Sequence, residues 1–79
     1  MIRHQVYSCI VNAVERGILE EPFTKDDFKK ACPHFTEGTY KVFLWKHRVG
    51  NPNGETELFV KVSHGKFKLV RPIKYGFMG

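Results

Sequence analysis

Apolar residues recur at Ile2, Val6, Ile10 and Val14, with Cys9 and Ala13 beside them, and this spacing predicts an amphipathic helix over residues 2–16. Gly17 comes next as a residue able to take the left-handed helix stop. Ile18 and Leu19 are apolar again, but Glu20-Glu21-Pro22 cannot continue a helix, so a short extended crossing or loop is expected. Phe23-Thr24-Lys25-Asp26-Asp27-Phe28 then carries the parts of a helix start. Thr24 is the N-cap, Asp27 its acidic partner three residues on, and Phe23 and Phe28 form a hydrophobic staple. Pro33 closes this second helix near Cys32.

Phe35-Thr36-Glu37-Gly38-Thr39-Tyr40 repeats the design, with Thr36 as N-cap and Phe35 and Tyr40 as staple. It predicts a third helix that runs to a stop at Gly50, with Lys46, His47 and Arg48 in its last turn. Only a few residues separate the second and third helices, the spacing of a helix-turn-helix. Tyr40, Phe43, Leu44 and His47 fall on one side of the third helix, wide enough to seat it on a core. The other side carries Gly38, Lys41, Val42, Trp45, Lys46 and Val49, which mixes cations with a large aromatic and two β-branched residues. A helix face that only meets water has no need of Trp45.

Asn51-Pro52-Asn53-Gly54 reads as a loop, and a strand pair comes after it. With His64-Gly65 as a two-residue turn, Ser63 faces Lys66, Val62 faces Phe67, Lys61 faces Lys68, Val60 faces Leu69 and Phe59 faces Val70. This register puts Leu58, Val60, Val62, Phe67 and Leu69 on one face and Lys61, Lys66 and Lys68 on the other. Lys61 opposite Lys68 is a repulsive pair unless an anion lies between them. Pro72 ends the second strand, and the rest of the chain, 73–79, is an aromatic tail expected to fold back on the body or to lie in a partner's groove.

Charge sharpens this picture. The net charge is +5, yet the first 35 residues hold five cations and five anions; from Thr36 onward eight cations stand against three anions. The whole excess lies on the third helix and the segments C-terminal to it, which points to an anionic partner. Seventy-nine residues, 42% hydrophobic and 14% aromatic, suit one domain over 1–79 with a core at about 2–71 and a tail at 72–79. Cys9 and Cys32 are too few and too far apart for a secreted disulfide framework, so buried free thiols in a reducing cytosol are expected. The uncharged stretch from His4 to Val14 is too short to span a bilayer and contains Gln5, Ser8 and Asn12, so no membrane association is expected.

The order of three helices, loop and basic hairpin resembles the winged helix-turn-helix superfamily. The resemblance spans about residues 2–71 and is carried by FTKDDFKKACPHFTEGTYKVFLWKH and LFVKVSHGKFKLVRP. The second hairpin strand is also similar to the Gly-aromatic-basic-Leu ending of small winged-helix modules, here Gly65, Phe67, Lys68 and Leu69 with Lys66 inserted. The resemblance implies an α+β fold, a three-helix winged helix-turn-helix with a C-terminal two-stranded β-hairpin wing. It also implies that the third helix enters the major groove of double-stranded DNA while the wing lies along the backbone. On that basis the nucleic-acid-binding residues are Gly38, Thr39, Lys41, Val42, Trp45 and Lys46 on the helix, and Lys61, His64, Lys66 and Lys68 on the wing. The helix face departs from the usual reading pattern, since it carries Trp45 and lacks the Arg, Asn and Gln that make bidentate base contacts.

The bland alternatives are specific. Lysines on edge strands also block strand addition. Trp45 with Val42 and Val49 could instead be an apolar patch for a homodimer or a complex subunit. Unpaired RNA bases would suit the same aromatic and basic face. Gly38 fits either close approach of a phosphate or tight packing against the second helix. Cys32-Pro33-His34 with His47 and His64 lacks paired ligand spacing, so neither metal nor cofactor is expected, and no catalytic motif is present; Asp26 and Asp27 are absorbed by capping. The expected protein is a DNA-binding module, a small transcriptional regulator or part of a larger system, and not an enzyme. Its setting is cytoplasmic, nucleoid-associated in a prokaryote or nuclear in a eukaryote.

Overall fold

The computed structural model describes residues 2–74, with side chains from Gln5 onward. Its five elements in chain order are α1 (Ile2–Glu15), α2 (Lys25–Ala31), α3 (Glu37–Lys46), β1 (Phe59–Ser63) and β2 (Lys66–Leu69). The architecture is α+β, three helices and then a two-stranded antiparallel hairpin that stands as a wing.

The local signals place the helices. Thr24 accepts the Asp27 N–H at 3.1 Å, and Asp27 accepts the Thr24 N–H at 3.0 Å, so α2 opens with a complete capping box. Thr36 accepts the Thr39 N–H at 3.3 Å at the start of α3. The turn between the two helices is fastened by Tyr40, whose hydroxyl accepts the Phe35 N–H at 3.1 Å and donates to the Cys32 carbonyl. An ion pair between Lys29 and Glu37 ties α2 to α3, raising the pKa of Lys29 and lowering that of Glu37. These contacts set the angle at which α3 leaves the turn.

Phe59 is the hub of the core. Its ring meets Tyr7 of α1 edge-on at 6.3 Å, Phe23 at 6.2 Å and Phe43 of α3 at 5.8 Å between centroids, so one strand residue touches three separate parts of the chain. Val6, Ile10, Val11, Ala13, Leu19, Phe28, Cys32, Tyr40, Leu44, Leu58, Phe67 and Leu69 complete the buried apolar set. The crossing before α2 becomes a third, one-residue strand: Phe23 and Phe67 exchange both backbone hydrogen bonds at 2.8 Å.

Three expectations are corrected. First, α3 stops at Lys46, short of Gly50. The buried His47 leaves the helix because its carbonyl accepts the N–H groups of Leu58 and Phe59, at 2.7 and 3.1 Å, while Val49 donates to Phe59 at 2.8 Å. A bridge to the wing thus replaces the last helical turn.

Second, the hairpin register differs. Ser63 does pair with Lys66, but a bulge at Val62 shifts the pairs beyond it, so that Lys61 faces Phe67, Val60 faces Lys68 and Phe59 faces Leu69. The reason lies in the turn and in the core. A mirror-image turn needs positive φ at least at the first central residue, here His64; only Gly65 has it, at 73°, so the strands leave splayed and the bulge absorbs one residue. The result buries the Phe59 ring and leaves Val62 half exposed. Lys61 and Lys68 are therefore neither opposed nor on one face.

Third, Cys9 and Cys32 are joined by a disulfide, with their Cα atoms 6.3 Å apart. The two cysteines are 23 positions apart in sequence, and only the packing of α1 carries Cys9 to the end of α2. The expectation of free thiols fails, and the expected cytoplasmic setting loses that support. Among the described residues no helix is long and apolar enough to cross a membrane. At the end of the body Ile73 packs on the core and the Lys74 N–H donates to the Tyr7 hydroxyl at 3.1 Å, so this part of the tail folds back. Positions 75–79 of the expected tail lie outside the described residues.

Candidate nucleic-acid interface

Burying Tyr40, Phe43, Leu44 and His47 leaves the opposite side of α3 to solvent. Gly38, Lys41, Val42, Trp45 and Lys46 are all exposed there, and Thr39 is half-buried within the cap. His47 is internal: its Nδ1 bonds the Thr56 carbonyl at 2.8 Å, and its ring lies against Phe43. The backbone at Gly38 has room for a side chain, since an added Cβ would meet nothing nearer than Thr36 Oγ1 at 3.9 Å. Packing against α2 does not require glycine at this position.

Trp45 is the centre of the exposed face. Its ring meets Phe67 of β2 edge-on at 5.9 Å, with an interplanar angle of 79°. The Lys61 ammonium and the Arg48 guanidinium each lie 4.7 Å from the same ring centroid. Trp45 is 43% exposed, so it is a contact between helix and wing and also a surface residue. Beside it a shallow cleft is lined by Val42, Lys46, Arg48, Asn51, Pro52 and Asn53. The loop wall of that cleft is built by Asn51, whose amide donates to the Arg48 and Glu55 carbonyls at 3.0 Å and whose Oδ1 accepts the Glu55 N–H at 2.8 Å.

The wing residues divide. Lys61 shares the helix side of the hairpin with Phe67, because cross-strand partners point the same way. Lys66 and Lys68 alternate with the buried Phe67 and Leu69 and so stand on the outer face. Lys68 lies in the field of the Glu21 carboxylate, which is itself held by Arg71. His64 is exposed at the turn. The ten expected residues thus fall into an α3 group joined by Lys61, an outer-wing group of Lys66 and Lys68, and His64 by itself at the turn.

Comparison with protein-family models, curated proteins and solved structures finds no match.

Arg48 is absent from the expected set, where it stood only as a cation in the last helical turn. Its spacing of three from Trp45 is the signal that could have found it, since residues three apart are neighbours on a helix surface. Among the described residues no group of three or more His, Cys, Asp and Glu side chains comes together. Cys32, the first residue of the Cys-Pro-His run, is committed to the disulfide.

Proposed function

We propose that this three-helix-plus-wing domain is a nucleic-acid-binding module of the winged helix-turn-helix kind, acting on double-stranded DNA through α3 and the adjoining wing, without catalysis. One observation carries the reading. The exposed side of α3 presents Lys41, Trp45 and Lys46, and the fold brings Arg48 and Lys61 to the Trp45 ring. Two cations over one exposed aromatic and two more exposed on the same helix, in the half of the chain that holds the whole excess positive charge, match a polyanion better than water. The module fits a small transcriptional regulator or the DNA-binding part of a larger system.

The test is NMR shift mapping of the chain with a duplex oligonucleotide at low salt. Perturbation centred on Lys41, Trp45, Lys46 and Lys61 is expected. Duplex binding that leaves both α3 and the hairpin unshifted, or an absence of binding, overturns the reading.

A second reading has its own observation. Val42, on the same side of α3 as Trp45, and Val49, just past the helix, are about half exposed, apolar surface suited to a second copy or another protein. Sedimentation of wild type and Trp45→Ala discriminates the two. A change of mass with unchanged DNA affinity supports the protein interface, and the reverse supports DNA. Unpaired RNA competing better than duplex DNA would reassign the ligand class.

A further inference from the structure

Two cations from different elements converge on one ring. Arg48 lies just past the end of α3 and Lys61 belongs to β1, and both charges lie 4.7 Å from the Trp45 centroid, so they are no farther apart than twice that distance. We propose that Arg48 and Lys61, held over Trp45, form a phosphate-binding pair at the junction of helix and wing, with Trp45 as the positioning residue and the phosphodiester of a nucleic-acid backbone as the ligand. This rests on the nucleic-acid reading above and names the part of the ligand that the ring-centred group takes.

Trp45 is fixed before any ligand arrives. Its edge-on contact with the buried Phe67 ties its orientation to the core. The Arg48 guanidinium is held twice, by the ring and by an Nη1 hydrogen bond to the Trp45 carbonyl at 2.7 Å. That bond engages one of five guanidinium donors, so the others remain to meet an anion. Backbone pairing fixes Arg48 as well, through its bridge to Phe59 and through the Asn51 N–H, which donates to its carbonyl at 3.1 Å. Lys61 is on this side only because of the bulge at Val62.

Two like charges are brought over one neutral ring, while Glu37 pairs with Lys29 and Glu57 takes the Gly50 N–H at 2.9 Å. Cation–π attraction orders the two side chains, which removes part of the entropy cost of clamping a ligand. The cleft lined by Val42, Lys46, Asn51 and Asn53 leaves space for the adjoining backbone. With the cations leaning on the ring, the indole serves as their platform and not as a stacking surface for a base.

The experiment is a salt series of anisotropy titrations with a duplex of about 15 base pairs, roughly one and a half turns. Arg48→Gln and Lys61→Gln are each expected to reduce the slope of log K against log salt by about 0.9, and the double variant by about 1.8. Trp45→Leu, with Trp45→Phe as a second variant should Leu disturb folding, removes no charge yet is expected to weaken binding about 3- to 10-fold, the size of a lost cation–π contact or two. In that background Lys61→Gln should have a smaller effect than in wild type, because a positioning residue and its cation are coupled. Wild type that binds duplex with a slope unchanged in the double variant overturns the pair and leaves the broader reading in place. Failure of wild type to bind duplex at low salt overturns both. Emission from Trp45, the single tryptophan, provides a separate readout. Strong quenching together with preference for an unpaired strand of the same length would assign the ring to base stacking and overturn its positioning role.

Discussion

Lys61 and Phe67 are cross-strand partners, although a regular two-residue hairpin would set Lys61 against Lys68. The single extra residue that makes this so is Val62, and it changes which side chains the core and the outer surface receive. Moving Lys61 toward α3 brings it to Trp45; moving Phe59 inward gives the core its hub.

The stability pattern of β1 is a consequence of that pairing. Phe59→Ala is expected to cost about 3 to 5 kcal/mol, enough to threaten folding in so small a protein, because it removes the ring shared by Tyr7, Phe23 and Phe43. Val62→Asp should stay within about 0.5 kcal/mol of wild type, since Val62 sits exposed in the bulge. Urea unfolding of both variants checks this. The regular register makes Val62 a core residue and predicts a large loss from Val62→Asp.

The disulfide between Cys9 and Cys32 closes a loop with a sequence separation of 23, and its loss should destabilise by about 2 to 4 kcal/mol. Thermal melts with and without a reducing agent measure the effect. Cys9→Ser should melt low in both conditions and show no dependence on reductant. Identical wild-type melts in the two conditions would restore the free-thiol expectation.

Glu21 supplies a pH-dependent term. Its hydrogen bonds from Arg71, at 2.6 and 2.9 Å, and from the Leu69 N–H, at 2.7 Å, hold its carboxyl below the usual range despite partial burial. A carboxyl lowered in the folded state contributes stability that is fully present above its unfolded pKa of about 4.3 and fades as pH falls through the lower folded value. Glu21→Gln is expected to cost about 1 to 2 kcal/mol at pH 7, allowing for the exposure of Arg71. The variant should also lose stability less steeply below about pH 4. Chemical denaturation across that range reads both changes.

Gly38 separates folding from binding. With room for a Cβ and an ordinary helical φ, Gly38→Ala should raise stability by about 0.5 to 1 kcal/mol. If the first turn of α3 lies close against a nucleic-acid backbone, the same change lowers duplex affinity. Parallel melting and binding measurements on this one variant distinguish a glycine kept for the ligand from one that serves neither purpose.

Much of the fold was legible because its signals are local. Thr24 with Asp27, and Thr36 with Thr39, act within one helical turn, so the chain alone announces where α2 and α3 begin. The exposed face of α3 was equally readable from the spacing of Lys41, Val42, Trp45 and Lys46, as was the separation of a neutral first part from a basic remainder. Features that depend on distant segments were not. Where α3 ends is decided by Leu58 and Phe59 donating to the His47 carbonyl, and the wing register by which ring best fills the space between Tyr7, Phe23 and Phe43. Cys9 and Cys32 meet only once α1 has packed beside α2. The sequence by itself therefore determined the elements, their caps and the cationic face. Tertiary structure alone decided that Arg48 and Lys61 share Trp45, because that requires a bulge in one strand and an early helix stop, both of which are set by burial of Phe59 and His47 in a core to which all three helices and both strands contribute.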